Sequence, residues 1–296
     1  MGGGRNKKLI IESTLECKAN CIYCYNSKNK NNQSVDVKLF QISDEYLKKW
    51  KINNVIITGG EPLQDFERTV EIIRYYKDKV NYIEMITNGL LLSDRKLNKL
   101  IESGLDGISI SCDGVHNKTQ FALRKITPEK IWNIISKVKQ KGNKKIRLNL
   151  LYALTTLNSS KKNLEEFIKE ANKANVDGIK FQPVTADLNE SIIDLVISSP
   201  EILPIIELIE RNKQKWSVIN STYFFDFSKQ LFESDKTNKE IICPIPESNL
   251  FINAEGILLK CPILNPNVRE ARFNSITQVE FKKFKCKLKT HCLCMF

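Results

Sequence analysis

The sequence predicts an α/β fold: a partial (β/α)6, TIM-like barrel of parallel strands, followed by a small C-terminal unit of β-hairpin and helix. Three observations support it. From residue 8 to residue 185 short apolar runs alternate with amphipathic segments, the pattern of repeated β-α units. Small and polar residues sit where those runs end, which is where such barrels gather their reactive groups. The cysteines cluster near the two ends of the chain.

The strand candidates are Leu9 to Glu12, Val55 to Thr58, Tyr82 to Thr87, Gly107 to Ser111, Ile146 to Leu154 and Gly178 to Val184. Between them apolar residues recur three and four apart, as at Phe66, Val70 and Ile73, or Leu164, Phe167, Ile168 and Ala171, which places helices there. Ser93 before Asp94, and Thr127 before Pro128 and Glu129, are helix-opening sequences. Six parallel strands joined by right-handed crossovers curl into an incomplete barrel with one open side. Residues 186–240 read as a helical bridge, with a helix around Ile202 to Trp216. The aromatic stretch Tyr223, Phe224, Phe225, Phe227 reads as core. Residues 241–296 form the expected C-terminal domain.

Composition limits the function classes. With 42% hydrophobic and 27% charged residues, the 296-residue chain reads as an ordinary globular protein. It has no run of 18 apolar residues, and Met1 to Arg5 lack the apolar core of a signal peptide, so a cytoplasmic location without membrane contact is expected. Nine cysteines then read as metal ligands rather than disulfides. The net charge of +12, with Lys282, Lys283, Lys285, Lys287 and Lys289 close together, favours acidic partners such as an acidic peptide or electron-donor protein. Lysine runs are most often solvated faces, and nucleic acid is not the expected partner.

Cys17-x3-Cys21-x2-Cys24, with Tyr23 before the third cysteine, can hold three irons of a 4Fe-4S cube and leave the fourth open. A zinc site is the competing reading, but zinc prefers a repeated Cys-x2-Cys and no fourth ligand lies near. After the second strand comes Gly59-Gly60-Glu61-Pro62. Two residues without Cβ let a ligand lie against the backbone, and Glu61 can anchor the turn or an amino group.

Together these motifs resemble the radical S-adenosylmethionine (radical SAM) enzymes. Their three-cysteine motif is matched by Cys17, Cys21, Tyr23 and Cys24, and their Gly-Gly-Glu-Pro by Gly59 to Pro62. Thr87-Asn88-Gly89, then Ser109, Ser111 and Asp113-Gly114, resemble the family's third and fourth strand ends, and His116 and Arg124 the residues that follow. The resemblance implies the partial barrel over about residues 8–185, with the methionine amino and carboxylate groups of S-adenosylmethionine chelating the free iron. Implied cofactor contacts are Tyr23, Gly59, Gly60, Glu61, Asn88, Ser111, Asp113, Arg124, Asn149 and Gln182. Cys112 is expected to be a buried structural thiol, since alternation turns it with Ile108 and Ile110 away from the side of Ser109 and Ser111. The competing role, hydrogen-atom donor, requires the strand to have ended or bulged by residue 112.

At the C-terminal end Cys243-x12-Gly256-x4-Cys261 spans two predicted hairpin arms, Asn249 to Asn253 and Gly256 to Lys260. The pattern looks like the opening of the auxiliary-cluster module called SPASM, or its shortened twitch form. The five cysteines available imply one auxiliary 4Fe-4S cluster held by Cys243, Cys261, Cys292 and either Cys286 or Cys294. A structural zinc is the alternative.

The resemblance implies reductive cleavage of S-adenosylmethionine and hydrogen abstraction from a substrate, with flavodoxin or ferredoxin as acidic electron donor. A ribosomally made peptide is the expected substrate, leading to an oxidative cross-link, a thioether or an epimer. No peptide-recognition domain is expected to be fused before a first strand near residue 9, so a separate recognition protein is a candidate partner. Alternatives are a small-molecule dehydrogenase acting on an aminocyclitol alcohol, or an iron-sulfur electron-transfer or scaffold protein.

Overall fold

The computed structural model describes residues 7–24, 35–142, 146–184, 190–234, 242–243, 247–259 and 284–285. All six expected strands form: β1 (Lys7–Glu12), β2 (Ile52–Thr58), β3 (Tyr82–Thr87), β4 (Gly107–Ser111), β5 (Arg147–Leu154) and β6 (Gly178–Pro183). Each pairs in parallel with its neighbour in sequence. The connections carry α1 (Asp44–Trp50), α2 (Phe66–Tyr76), α3 (Asp94–Ser103), the short α4 (Ala122–Arg124), α5 (Pro128–Gly142) and α6 (Lys161–Lys173). Side-chain caps fix several helix starts: Asp65, Ser93 and Ser160 accept the N–H groups of Arg68, Lys96 and Asn163, each cap worth about 1 kcal/mol. Among the described residues no helix is long and apolar enough to cross a membrane.

Strand alternation divides the interior in two. Leu9, Ile11, Val55, Ile57, Ile83, Met85, Ile108 and Ile110 belong to the large core between sheet and helices. The intervening Ile10, Ile56 and Ile86 form a second, smaller core inside the barrel. The same alternation puts Glu84 in the lumen, where it is 4% exposed. Its carboxylate accepts bonds from Lys180 Nζ at 2.8 and 2.9 Å, from Asn149 Nδ2 at 3.2 Å and from Ser109 Oγ. Burial alone pushes its carboxyl up, but the Lys180 charge and the three donors together hold it below the ordinary carboxylate value.

Beyond β6 the bridge completes the sheet edge. Val218 forms a parallel bridge with Ile179, and the Asn220 side chain bonds both Phe181 N–H and Phe181 O, at 2.8 and 2.9 Å. The edge of β6 is thereby satisfied without a full strand. α7 (Ser199–Arg211) and α8 (Thr222–Ser234) follow. The expected helix begins earlier than Ile202 and ends before Trp216. Phe224, Phe225 and Phe227 are buried, as expected of core.

Within residues 241–296, expected as the C-terminal domain, β8 (Asn249–Ile252) pairs in parallel with β1 and continues the barrel sheet, with β9 (Leu258–Leu259) antiparallel beyond it. Phe251 and Leu259 fill the lumen beside Ile10 and Ile56. The hairpin's strand is apolar on both faces (Leu250 and Ile252 outward, Phe251 inward), which suits a sheet interior rather than an isolated hairpin. The predicted turn forms, with Asn253 Oδ1 accepting the N–H groups of Glu255 and Ile257 and Gly256 at φ 78°. A second, two-stranded sheet pairs β7 (Ile242–Cys243) with β10 (Phe284–Lys285).

Replacing Glu84 by Ala leaves the half-buried Lys180 without its counter-charge and is expected to cost up to about 3 kcal/mol in urea unfolding. Because the folded-state value of Glu84 is depressed, its contribution is complete above the unfolded carboxylate value, about 4.3, and is lost as pH falls below it. The Glu84→Gln variant should therefore show a shallower loss of stability than the parent in that acid range.

Candidate functional site

The segment after β1 leads into Cys17, Cys21 and Cys24, and the turn after β2 supports it. Ser13 N–H donates to Thr58 O at 2.9 Å, Gly60 N–H to Thr14 O at 2.7 Å, and Glu61 N–H to Glu16 O at 2.8 Å. A Cβ on Gly59 would lie 2.3 Å from Thr14 O, and one on Gly60 2.4 Å from Leu15 O and 2.5 Å from Glu16 O. Gly59 also takes φ +143°. The two glycines therefore admit the chain's own backbone. Residues 13–16, which lead into the cysteines, lie directly against them.

Glu61 is buried, and its carboxylate ties its own turn to the end of β3. Oε1 accepts from Thr87 Oγ1 at 2.6 Å and Leu63 N–H at 3.1 Å, and Oε2 from Asn88 N–H at 2.8 Å. Burial pushes its carboxyl up, against the pull of these donors. Of the two roles open to Glu61 in the sequence, these bonds describe the turn anchor. The neighbouring Asn88 extends Nδ2 to within 3.7 Å of Cys17 Sγ.

Asp113 grips the other side of the loop. Its fully buried carboxylate pairs with Arg124, Nε to Oδ2 at 2.6 Å and Nη2 to Oδ1 at 3.3 Å; it also accepts Tyr23 Oη–H and, at 2.9 Å, Ala153 N–H. Gln120 Oε1 takes the Asp113 N–H at 2.7 Å, and Asn158 Nδ2 donates to Asp113 O at 3.1 Å. Arg124 lies over the Tyr23 ring at 5.4 Å and places Nη1 3.9 Å from Cys21 Sγ. Burial pushes the Tyr23 hydroxyl far up, with the Asp113 charge adding to it and Arg124 opposing. The pair keeps Arg124 firmly charged: burial opposes its charge, but Asp113 foremost outweighs it.

The three loop cysteines are half-buried and free of disulfides. Burial pushes the Cys17 and Cys21 thiols up, although Asn88 and Arg124 respectively favour their thiolates. Such thiols ionise when a cation meets them, as iron does. Among the described residues no group of three His, Cys, Asp or Glu side chains is arranged to hold a metal ion; a 4Fe-4S cluster asks something else, one thiolate for each of three irons. Cysteine thiols with polar donors aimed at two of them fit that group.

The remaining expected residues are placed as follows. Ser111 ends β4 on the lumen side, and Gln182 stands half-buried near the end of β6. Asn149 does not stand at a strand end: it is the third residue of β5, its Nδ2 on Glu84 and its Oδ1 accepting Arg147 Nε at 3.3 Å. Cys112 lies among Ile108, Ile110 and Tyr152 in the outer core, fully buried, its thiol 3.7 Å from Gly114 O and pushed up to about 12 by burial. Its N–H still bonds Leu151 O at 3.0 Å, so pairing runs on through residue 112 and keeps the thiol on the helical side. His116 is exposed, 2.9 Å from Glu166. Cys261, Cys286, Cys292 and Cys294 lie outside the described residues, and of Cys243 only the backbone is described. Sequence reading missed Gln120 and Asn158, whose roles appear only once the strand ends are brought together.

A profile of the radical SAM superfamily matches residues 11–171, more than half of the chain. The chain belongs to the radical SAM superfamily. It is therefore an enzyme of the class that binds S-adenosylmethionine and a 4Fe-4S cluster. Among its relatives, an uncharacterised protein of Methanocaldococcus jannaschii, MJ0907, is 27% identical over 293 residues, 95% of this chain and 93% of that one. A probable GTP 3′,8-cyclase of Methanococcus aeolicus is 26% identical over 224 residues, 72% of this chain and 73% of the cyclase. Among solved structures, Streptococcus suis SuiB bound to its precursor peptide SuiA superposes with a TM-score of 0.70 at 14% identity, over 94% of this chain and 64% of SuiB. The enzyme anSMEcpe with bound AdoMet gives 0.63 at 19% identity, over 92% of this chain and 78% of that one. These two likenesses establish a common fold.

In this radical SAM enzyme the Gly60→Ala variant should displace the backbone of Leu15 and Glu16. A stability loss on the order of 1–3 kcal/mol is expected from the overpacking, together with reduced iron binding after anaerobic reconstitution. Iron analysis and urea unfolding measure the two.

Asp113→Asn removes the counter-charge of buried Arg124. It is expected to cost about 3–5 kcal/mol, and the electron paramagnetic resonance signal of the reduced, reconstituted protein should broaden as Tyr23 and Arg124 lose their fixed positions beside Cys21.

Proposed function

We propose that this radical SAM enzyme oxidatively modifies a peptide and holds a second 4Fe-4S cluster through its C-terminal cysteines. The observation that carries the reading is the pairing of β7 with β10, in which Cys243 stands opposite Phe284 and the ladder ends at Lys285, the residue before Cys286. That pairing favours Cys286 over Cys294 as the partner of Cys243, Cys261 and Cys292. The β8–β9 hairpin, which ends two residues before Cys261, fits the same arrangement.

Cys17, Cys21 and Cys24 would hold the cluster, and S-adenosylmethionine, when bound, would supply radical chemistry for hydrogen abstraction from an unactivated carbon. The chain's own task is to orient and to exclude. Gly59, Gly60 and Glu61 hold the cysteine loop, Asp113 and Arg124 hold Tyr23 and Cys21 in place, and Ser111 and Gln182 stand at strand ends where a cofactor or substrate would be met. Support for a peptide comes from the chain's basic charge and from the fold it shares with SuiB, a protein crystallised with its precursor peptide.

A second reading has its own observation. The likeness to probable GTP 3′,8-cyclases covers 72% of the chain, which makes a guanosine triphosphate cyclisation the alternative. An iron-sulfur scaffold loses its place now that the family is shown.

Reconstituted anaerobically, the protein should bind about eight irons. About four would remove the second cluster, and the Cys243→Ala plus Cys286→Ala variant should fall to that value. Candidate substrates separate the two readings by mass: a peptide should lose two hydrogens on oxidative cross-linking or gain solvent deuterium on epimerisation, whereas conversion of GTP to an isomeric cyclic product would favour the cyclase.

A further inference from the structure

Helix α2 carries a buried arginine that neither the cysteine motif nor the Gly-Gly-Glu turn requires. Its core-facing stripe is Arg68, Ile72 and Tyr76, four residues apart, while Glu67, Glu71 and Arg74 are exposed. Arginine is almost never buried in such a stripe without partners. Here one arm of the guanidinium, Nη1, donates to Ser13 O at 3.0 Å, and the other, Nη2, meets Asp65 Oδ2 at 3.1 Å. Asp65 also accepts the Arg68 N–H, so one carboxylate caps the helix and aims the side chain.

Ser13 is fully buried, four residues before Cys17, and its own N–H bonds Thr58 O. The carbonyls of Thr14 and Glu16 bond the turn of Gly60 and Glu61, whereas that of Ser13 is taken by Arg68. The same guanidinium lies 6.0 Å from the ring of Phe40, on the far side of the cysteines in sequence. Two turns further along α2, Tyr76 Oη donates to Phe40 O at 2.7 Å and accepts the Ile42 N–H at 2.9 Å. One helix face therefore meets the chain both before and after Cys17, Cys21 and Cys24.

We propose that Arg68 is a positioning residue for the three-cysteine site: its forked guanidinium, aimed by Asp65, fixes Ser13 and Phe40 and so the register of the cysteine-bearing segment on Gly60 and Glu61. It touches no cysteine and acts through the backbone. A lysine would keep the charge and a donor to Ser13 O but not the fork.

The test follows backbone amide exchange in the full chain before iron is added, then electron paramagnetic resonance after anaerobic reconstitution. Four proteins are compared: the parent, Arg68→Met, Arg68→Lys, and Arg74→Met as a control on the exposed face of α2. In Arg68→Met the amides of Gly60 and Glu61 should exchange about tenfold faster or more. The Phe181 amide, held by Asn220 at the distant β6 edge, should be unchanged. After reconstitution, the spectral response to added S-adenosylmethionine, per bound iron, should weaken in Arg68→Met. Arg68→Lys should recover part of both properties, and Arg74→Met should match the parent. Equal acceleration at Phe181 would make Arg68 a general stabiliser and overturn the proposal. So would unchanged exchange at Gly60 and Glu61, an undiminished spectral response in Arg68→Met, a Lys variant no better than the Met variant, or a control that behaves like Arg68→Met. If Arg68→Met does not fold, Arg68→Lys decides against the parent: faster exchange at Gly60 and Glu61 alone supports the clamp, and no difference sinks it. A parent that binds no iron would count against the superfamily's cluster, while the exchange comparison still judges Arg68.

Discussion

The contact on which the site depends is backbone against backbone: residues 13–16 lying on Gly59 and Gly60. No side chain could intervene, because a Cβ at either glycine would stand closer than 2.5 Å to a carbonyl oxygen. Three hydrogen bonds, from Ser13, Gly60 and Glu61, register the two segments. The loop that follows inherits its position from them. Glu61 then transmits the fit to β3 by accepting from Thr87 and Asn88, so the ends of the first three strands form one unit before any side chain reaches a cysteine.

The second hold is ionic. Asp113 and Arg124 are both buried, a costly arrangement unless each polar atom finds a partner. Tyr23, Ala153 and Arg124 meet the Asp113 carboxylate, while Gln120 and Asn158 take its backbone groups. This network belongs to the ends of β4 and β5, opposite the glycine contact. The cysteine loop is thus held from two directions, one by shape and one by charge. The division explains why the polar set at the strand ends is so much larger than cofactor contacts alone require.

Much of this was legible in the sequence. The six strands follow from alternation, and β3 and β4 match their expected limits because apolar residues face the helices at every second position. The cysteine spacing and the Gly-Gly-Glu turn pointed to the site. What they touch was not legible, since contacts between residues 14 and 60, or 23 and 113, depend on strand ends that meet only in the folded sheet. The contacts of Asn149 were hidden for a similar reason: its height in the barrel, level with Ser109 and Gly178, depends on the stagger between strands. Glu84 was overlooked because one acid in an apolar strand reads as an exception, while its partner Lys180 lies three strands away. The pairing of β8 with β1 left no local signal beyond a strand apolar on both faces.

The filling of the barrel decides where a substrate can stand. Below the strand ends the lumen is occupied on one side by Glu84 with Lys180, Ser109 and Asn149, and on the other by Ile10, Ile56, Ile86, Phe251 and Leu259. A barrel packed in this way is a core rather than a channel. Access is left at the C-terminal ends of the strands, the end from which the cysteine loop, Asn88, Ser111 and Gln182 all project. Since β8 runs parallel to β1, with Ile11 opposite Ile252, the Asn253–Gly256 turn also lies at that end. Through that pairing the hairpin borders the strand that leads into the cysteines, so a change in β8 bears on β1 and, through it, on the loop that Gly59 and Gly60 support.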